Sequence, residues 1–206
     1  MMQITDLKPQ AKNAKRVSVY LDGSYYCGLD LLTVVKERLK VGQFIERERL
    51  IQIQRESELQ ACMDCALKSL SKSVKTQREV IDRLIKKGFL KEIAEETVDK
   101  LKGYGYINDE NYSKRYAETY KNYKGKRLIK MELKKRGVDE KTADAVLSNE
   151  IEGELETAIK IAEKYVKNKE KDSKTLQKCY KYLLSKGFSY EDSLTASKRV
   201  IEIDEY

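Results

Sequence analysis

Leu84-Ile-Lys-Lys-Gly88-Phe89, Leu133-Lys-Lys-Arg-Gly137-Val138 and Leu183-Leu-Ser-Lys-Gly187-Phe188 are three copies of one phrase: a leucine, three residues, a glycine, an apolar residue. The glycines stand 49 and 50 positions apart. Spacing that regular marks one supersecondary unit repeated in tandem. The chemistry of each copy is that of a helix end. A basic residue (Lys87, Arg136 or Lys186) falls in the last turn, where the macrodipole is negative. The glycine closes the helix in the left-handed conformation, and the apolar residue after it folds back on the last turn.

The flanks keep the same register. Val80, Ile129 and Cys179 lie eight residues before the glycines, and Leu84, Leu133 and Leu183 four before. Each preceding helix therefore carries an i, i+4 apolar stripe. The pattern predicts further helices over 91–102, 139–148 and 189–203, and others upstream over about 58–70, 109–122 and 154–168. Each unit is helix–helix–helix, with boundaries at 56–105, 106–150 and 151–206. The expected fold is mostly α: three tandem three-helix repeats in an elongated curved array. Units of that size bury little surface alone and lean on their neighbours.

Residues 1–55 differ in kind and read as a β-hairpin and helix extension. Arg16-Val-Ser-Val-Tyr20-Leu21 alternates as a strand does, Asp22-Gly23 is a hairpin turn, and Ser24–Gly28 is the return strand. Residues 2–8 are a candidate third strand. Asp30 caps a helix expected over 31–39, which Gly42 is expected to end, and another helix is predicted from near Glu46.

Composition excludes much. One proline and ten glycines in 206 residues fit a helical chain, and 37% charged residues fit thin modules with much solvated surface. No run approaches the length of a membrane span and no leader opens the chain, so a soluble cytoplasmic protein is expected. Histidine is absent. That removes Ser-His-Asp and Cys-His nucleophilic catalysis, imidazole acid–base work and mixed Cys/His zinc sites. Cys62-Met-Asp-Cys65 has CxxC spacing, but it continues an apolar helical stripe with Leu59, Ala66 and Leu70. These thiols are expected close together on one helical face, reduced and free of metal. Gly103-Tyr-Gly105 follows a helix and lacks a third glycine, so it reads as a turn between units. No active site, metal or cofactor is expected.

Net charge is +8. Residues 56–105 carry ten basic and nine acidic side chains and 151–206 eleven of each, whereas 106–150 carry eleven against eight. Within 121–136, Lys121, Lys124, Lys126, Arg127, Lys130, Lys134, Lys135 and Arg136 face only Glu132. On a helix from about 126, Arg127, Lys130 and Lys134 share one side while Ile129 and Leu133 face the core. Two readings compete: a solvated lysine-rich face, or a stripe that neutralises phosphates. The near absence of acids favours the second. Fourteen tyrosines accompany three phenylalanines, with Tyr112, Tyr116, Tyr120 and Tyr123 at helical spacing after Tyr104 and Tyr106. Base stacking and packing between thin modules both fit, and packing with the hydroxyls at the wet edge fits better.

Over roughly 58–203 the chain resembles the RecX regulatory proteins, modulators of the RecA recombinase. The most specific piece is Leu101-Lys-Gly-Tyr-Gly-Tyr106-Ile107-Asn108-Asp109-Glu-Asn-Tyr112, similar to that family's Gly-Tyr-Leu/Ile-Asn-Asp-aromatic signature. Ala66-Leu67 before Leu70, Leu84–Phe89 and Gly125-Lys-Arg-Leu-Ile129-Lys-Met-Glu132-Leu133 match the flanking blocks. The third unit matches only loosely, and Cys62/Cys65 lie outside the pattern. The resemblance implies three three-helix units and a binding protein without catalysis. It further implies inhibition of RecA strand exchange, ATP hydrolysis and coprotease action through the RecA–DNA filament, within control of recombination, DNA repair and the SOS response. A monomer with weak, non-specific affinity for single- or double-stranded DNA is expected, and Lys124, Lys126, Arg127, Lys130, Lys134, Lys135 and Arg136 are the candidate contacts. Two other classes remain open: a stand-alone helical DNA-binding protein, and a non-catalytic adaptor for another acidic partner.

Overall fold

The computed structural model describes residues 1–11, 13–151 and 153–201. They fall into two compact units, one of Met1–Val74 with Val80–Tyr106 and one of Lys75–Glu79 with Ile107–Tyr206.

In the first unit, β1 (Met2–Gln10), β2 (Asn13–Leu21), β3 (Ser24–Asp30) and β4 (Phe44–Ile45) form an antiparallel sheet ordered β3-β2-β1-β4. Asp22 and Gly23 both take positive φ, +47° and +84°, as a tight hairpin turn requires. Alternate residues Val17, Val19, Leu21, Cys27 and Leu29 line one buried face with Leu50 and Ile53 of α2 (Arg47–Leu70). Ser57 on α2 donates from its hydroxyl or accepts at need; here its Oγ accepts the Asp30 N–H at 2.7 Å.

Two expectations are corrected here. Helix α1 spans Leu31–Lys36, capped by Asp30 as expected, but Arg38 (φ +51°) ends it ahead of Gly42. Gly42 (φ +87°) instead donates its N–H to Ile4 O at 2.7 Å, where the chain turns into β4. The helix expected near Glu46 and the one expected over 58–70 are a single helix, α2, because nothing between them breaks the backbone. Cys62 and Cys65 both lie on it as free thiols, Cys62 buried and Cys65 half-buried.

Helices α3 (Gln77–Lys86) and α4 (Lys91–Gly103) complete the first repeat, with Val80, Leu84, Ala94, Val98 and Leu101 buried. In the second unit, α5 (Asp109–Tyr120), α6 (Lys126–Lys135) and α7 (Glu140–Glu150) enclose one core, and α8 (Glu154–Val166), α9 (Ser173–Ser185) and α10 (Tyr190–Val200) another. Of the extent expected for the last helix, residues 202–203 lie outside the described residues. The expected repeat chemistry is present in each copy. Gly88, Gly137 and Gly187 have φ +95°, +89° and +90°. Each glycine donates its N–H three residues back, and the apolar residue after it donates to the carbonyl of Leu84, Leu133 or Leu183. That double bond pattern is the glycine-terminated helix end. Gly105 (φ +76°) ends α4 in the same way.

Within the second unit these ends also receive the start of another helix. Thr76 Oγ1 donates to Arg136 O at 2.6 Å, at the end of α6. Gly125 N–H donates to Lys186 O at 2.9 Å, at the end of α9, and Arg127 N–H to Gly187 O at 3.3 Å. The first residue of a third helix adds an acid in both cases: Asp109 Oδ1 accepts from Gln77 N–H at 2.9 Å, and Glu154 Oε1 from Lys126 N–H at 2.8 Å. At the end of α9 backbone N–H groups thus satisfy orphan carbonyls, and at the end of α6 the Thr76 hydroxyl does so.

The glycines differ in surroundings. A Cβ at Gly88 would meet nothing, whereas one at Gly187 would overlap Leu128. Gly88→Ala should therefore cost about 1–2 kcal/mol, the left-handed strain alone. Gly187→Ala should cost roughly 2–5 kcal/mol because overpacking adds to that strain. Urea unfolding midpoints at unchanged slope check the order.

Candidate functional site

Helix α6 carries the basic run. Ile129 and Leu133 are fully buried, so Arg127, Lys130 and Lys134 are driven to one outer side, as their spacing requires. With Met131, which is 45% exposed, and Lys135 they line one shallow depression.

Folding brings acids to this face that the run itself lacks. Lys130 Nζ meets Glu140 at 2.8 Å and Asp144 at 2.7 Å, and Lys134 Nζ meets Glu140 at 2.9 Å. Both acids lie on α7, packed beside α6. Hydrogen bonds from Lys130 and Lys134 hold the Glu140 carboxyl down at about 2. The bond that Lys130 donates to Asp144, followed by the one it donates to Glu140, raises the Lys130 ammonium. The expectation of a nearly acid-free cluster is thereby corrected: α6 presents a mixed surface of paired lysines, exposed Arg127 and Lys135, and Met131. Arg127 rests over the Tyr190 ring at 5.2 Å.

The remaining cations of the run face elsewhere. Tyr112, Tyr116 and Tyr120 are half-buried on α5 with ring centroids 6.1 and 4.6 Å apart, packed on the core of α5–α7. Lys124 lies over Tyr120 at 4.2 Å and Arg136 over Tyr116 at 5.2 Å. Tyr116 donates its hydroxyl proton to Glu132 at 2.9 Å, and Lys124 donates to both oxygens of that carboxylate at 2.7 and 2.8 Å. Burial, then the Glu132 carboxylate, pushes the Tyr116 hydroxyl up to about 12. Burial opposes ionisation of Glu132, yet Lys124 and Tyr116 hold it below the usual carboxylate range. Arg136 also pairs with Glu79 at 2.8 Å. Lys124 and Arg136 therefore brace this tyrosine row, and Lys126 offers its backbone N–H to Glu154. Tyr104, Tyr106 and Tyr123 stand apart from the row, 71%, 59% and 64% exposed. Sequence reasoning missed Glu140, Asp144, Met131 and Tyr190 as members of this surface. No local signal links Lys130 to a carboxylate fourteen positions away.

Four family descriptions match successive stretches of the chain. They are the Regulatory protein RecX N-terminal domain over residues 2–46, and the RecX first, second and third three-helix domains over 62–101, 108–147 and 152–195. The chain belongs to the RecX family of regulatory proteins. Regulatory protein RecX of Clostridium perfringens is 35% identical over 196 residues, 93% of this chain and 92% of that protein. Its namesake in Clostridium beijerinckii is 35% identical over 213 residues, 99% of this chain and 98% of the other. A crystal structure of regulatory protein RecX superposes with TM-score 0.69 at 25% identity, covering 98% of this chain and 99% of that one. The RecX structure from Lactobacillus salivarius gives 0.64 at 30% identity, over 71% of this chain and 98% of its own. The three RecX three-helix domains cover the last part of α2 with α3 and α4, then α5–α7, then α8, α9 and the first half of α10. Among the described residues no helix is long and apolar enough to cross a membrane.

Removing both lysine partners by Lys130→Ala/Lys134→Ala should return Glu140 from about 2 toward its ordinary value of 4.5. A carboxyl-detected NMR titration measures this. Because the folded value is the lower one, ionised Glu140 favours the fold above pH 4.5, and that contribution fades as pH falls toward 2. Its exposure keeps it small.

Proposed function

We propose that this chain is a regulatory binding protein of the RecA recombinase. It lodges on the RecA–DNA filament and restrains strand exchange, ATP hydrolysis and coprotease action, with no catalytic step of its own. The observation that carries the reading is the match to RecX regulatory proteins along the whole chain, N-terminal domain and all three helical domains together. It acts as a cytoplasmic monomer, with weak and non-specific affinity for DNA.

The α6 face supports the reading physically. Arg127, Lys130, Lys134 and Lys135 surround an exposed methionine, and two of the lysines already share the Glu140 carboxylate. A mixed surface of this kind suits the wall of a protein groove better than bare phosphates. Lys124, Lys126 and Arg136 position that face through the tyrosine row and the start of α6.

Arg127→Glu/Lys130→Glu/Lys134→Glu should weaken suppression of RecA ATP hydrolysis on single-stranded DNA by roughly three- to tenfold at low salt. The difference should shrink as salt rises. Arg127→Glu/Lys135→Glu leaves the Glu140 pairs intact and should act in the same direction. Thermal unfolding confirms that each variant is folded. Undiminished suppression by folded variants removes α6 from the contact. No suppression by the parent chain overturns the RecA reading. Salt-steep duplex binding without RecA would then point to a stand-alone DNA-binding protein, and its absence to an adaptor for another acidic partner.

A further inference from the structure

A cavity of about 570 Å³ in the first unit gathers Lys15 and Arg16 of β2, Lys68 of α2, Lys72 just beyond it, and Arg83 and Lys87 at the end of α3. Only two carboxylates share its lining. Asp30 caps α1 by accepting from Leu32 N–H at 2.9 Å, and Asp64 accepts from Gln60 Nε2 at 3.0 Å. Among the described residues, none of the six cations forms an ion pair. Arg16 alone is tied, donating to Gly28 O at 2.9 Å. Three acids of α4 are paired away from the hollow: Glu95 with Lys91, Glu96 with Arg55 and Lys100, and Asp99 with Lys102. A region nearly neutral by count is thus divided into a paired side and an unpaired cationic hollow.

We propose that this cavity seats the phosphate backbone of a single nucleic-acid strand. Unpaired cations crowded into one concavity repel each other, and a polyanion relieves that repulsion by releasing its own counterions. Favourable helix-end charge accounts for Lys68 and Arg83 in the last turns of α2 and α3. It does not account for the strand residues Lys15 and Arg16 in the same hollow. The cations sit mostly on flexible stems, with no glycine-rich cradle of N–H groups, which suits successive phosphates over one compact anion. A duplex is too broad and rigid to enter a space of this size, whereas a single strand bends into it. The site is separate from α6 and does not depend on the RecA reading.

The test uses the whole chain with no RecA present. Fluorescence anisotropy with labelled oligo(dT) should show salt-dependent binding, with a log–log slope of about −3.5 for five phosphates. Lys68→Glu/Lys72→Glu/Lys87→Glu should weaken it at least tenfold and flatten the slope by about 2. Lys91→Glu/Lys102→Glu, altering cations already paired on α4 and outside the hollow, should change it by less than threefold. A local readout needs no variant. Cys65 lines the cavity and is half-buried, whereas burial pushes the thiols of Cys27, Cys62 and Cys179 up. Saturating oligo(dT) should slow maleimide modification of Cys65 several-fold. Unchanged affinity in the folded cleft variant, or Cys65 modified at the same rate with the strand bound, overturns the proposal. So does duplex binding that equals or exceeds that of the single strand and protects Cys65 as well. Failure to suppress RecA would sink the preceding section and leave these outcomes untouched.

Discussion

Helix ends are where this fold is decided. A helix leaves carbonyls without partners at its last turn and N–H groups without partners at its first. Here a left-handed glycine turns the chain away sharply enough that the last carbonyls remain approachable. The end of α6 accepts from Thr76, and the end of α9 from Gly125 and Arg127. Opposed macrodipole ends meet in both joints, and an acid from the first residue of α5 or α8 completes each. Thr76 is fully buried at its joint. A Cβ at Gly125 would overlap the Gly187 backbone and one at Gly187 would overlap Leu128, so neither position has room for a side chain. These joints, more than any one apolar contact, set the register in which successive three-helix domains follow each other within the second unit.

Charge follows from that register. Once α7 lies beside α6, Glu140 and Asp144 reach lysines that are remote in sequence, and the basic run ceases to be bare. The tyrosine row is treated likewise: Lys124 and Arg136 cover its rings while Glu132 accepts a hydrogen bond from the Tyr116 hydroxyl. Most of the eight cations in the run therefore have structural duties as well as outward faces. The opposite occurs in the first unit. There Glu95, Glu96 and Asp99 of α4 pair with Lys91, Lys100 and Lys102, and the cations of the hollow bounded by β2, α2 and α3 form no ion pair among the described residues.

That division fits a regulator with two kinds of contact. A mixed face with an exposed methionine suits a protein wall. A concave cationic hollow suits a flexible polyanion.

The repeats were legible in the sequence because they rest on local chemistry. Gly88, Gly137 and Gly187, each with a leucine four residues earlier, state a helix end within six residues, and the structure places all three in the same left-handed turn. The hairpin at Asp22-Gly23 and the cap at Asp30 are equally local. Where a local signal had a competitor, it was less informative: Gly42 looked like a helix end, but hydrogen bonding to Ile4 claimed it for the sheet. The candidate site was legible only in part. Burial of Ile129 and Leu133 was enough to put Arg127, Lys130 and Lys134 on one side of α6. Which of them would be paired was decided by α7, and which cations would share a hollow was decided by the placing of β2, α2 and α3 around one cavity. Charges interact through space at distances of a few ångströms, so a tally along the chain misses both the acids that tertiary folding delivers and those it takes away.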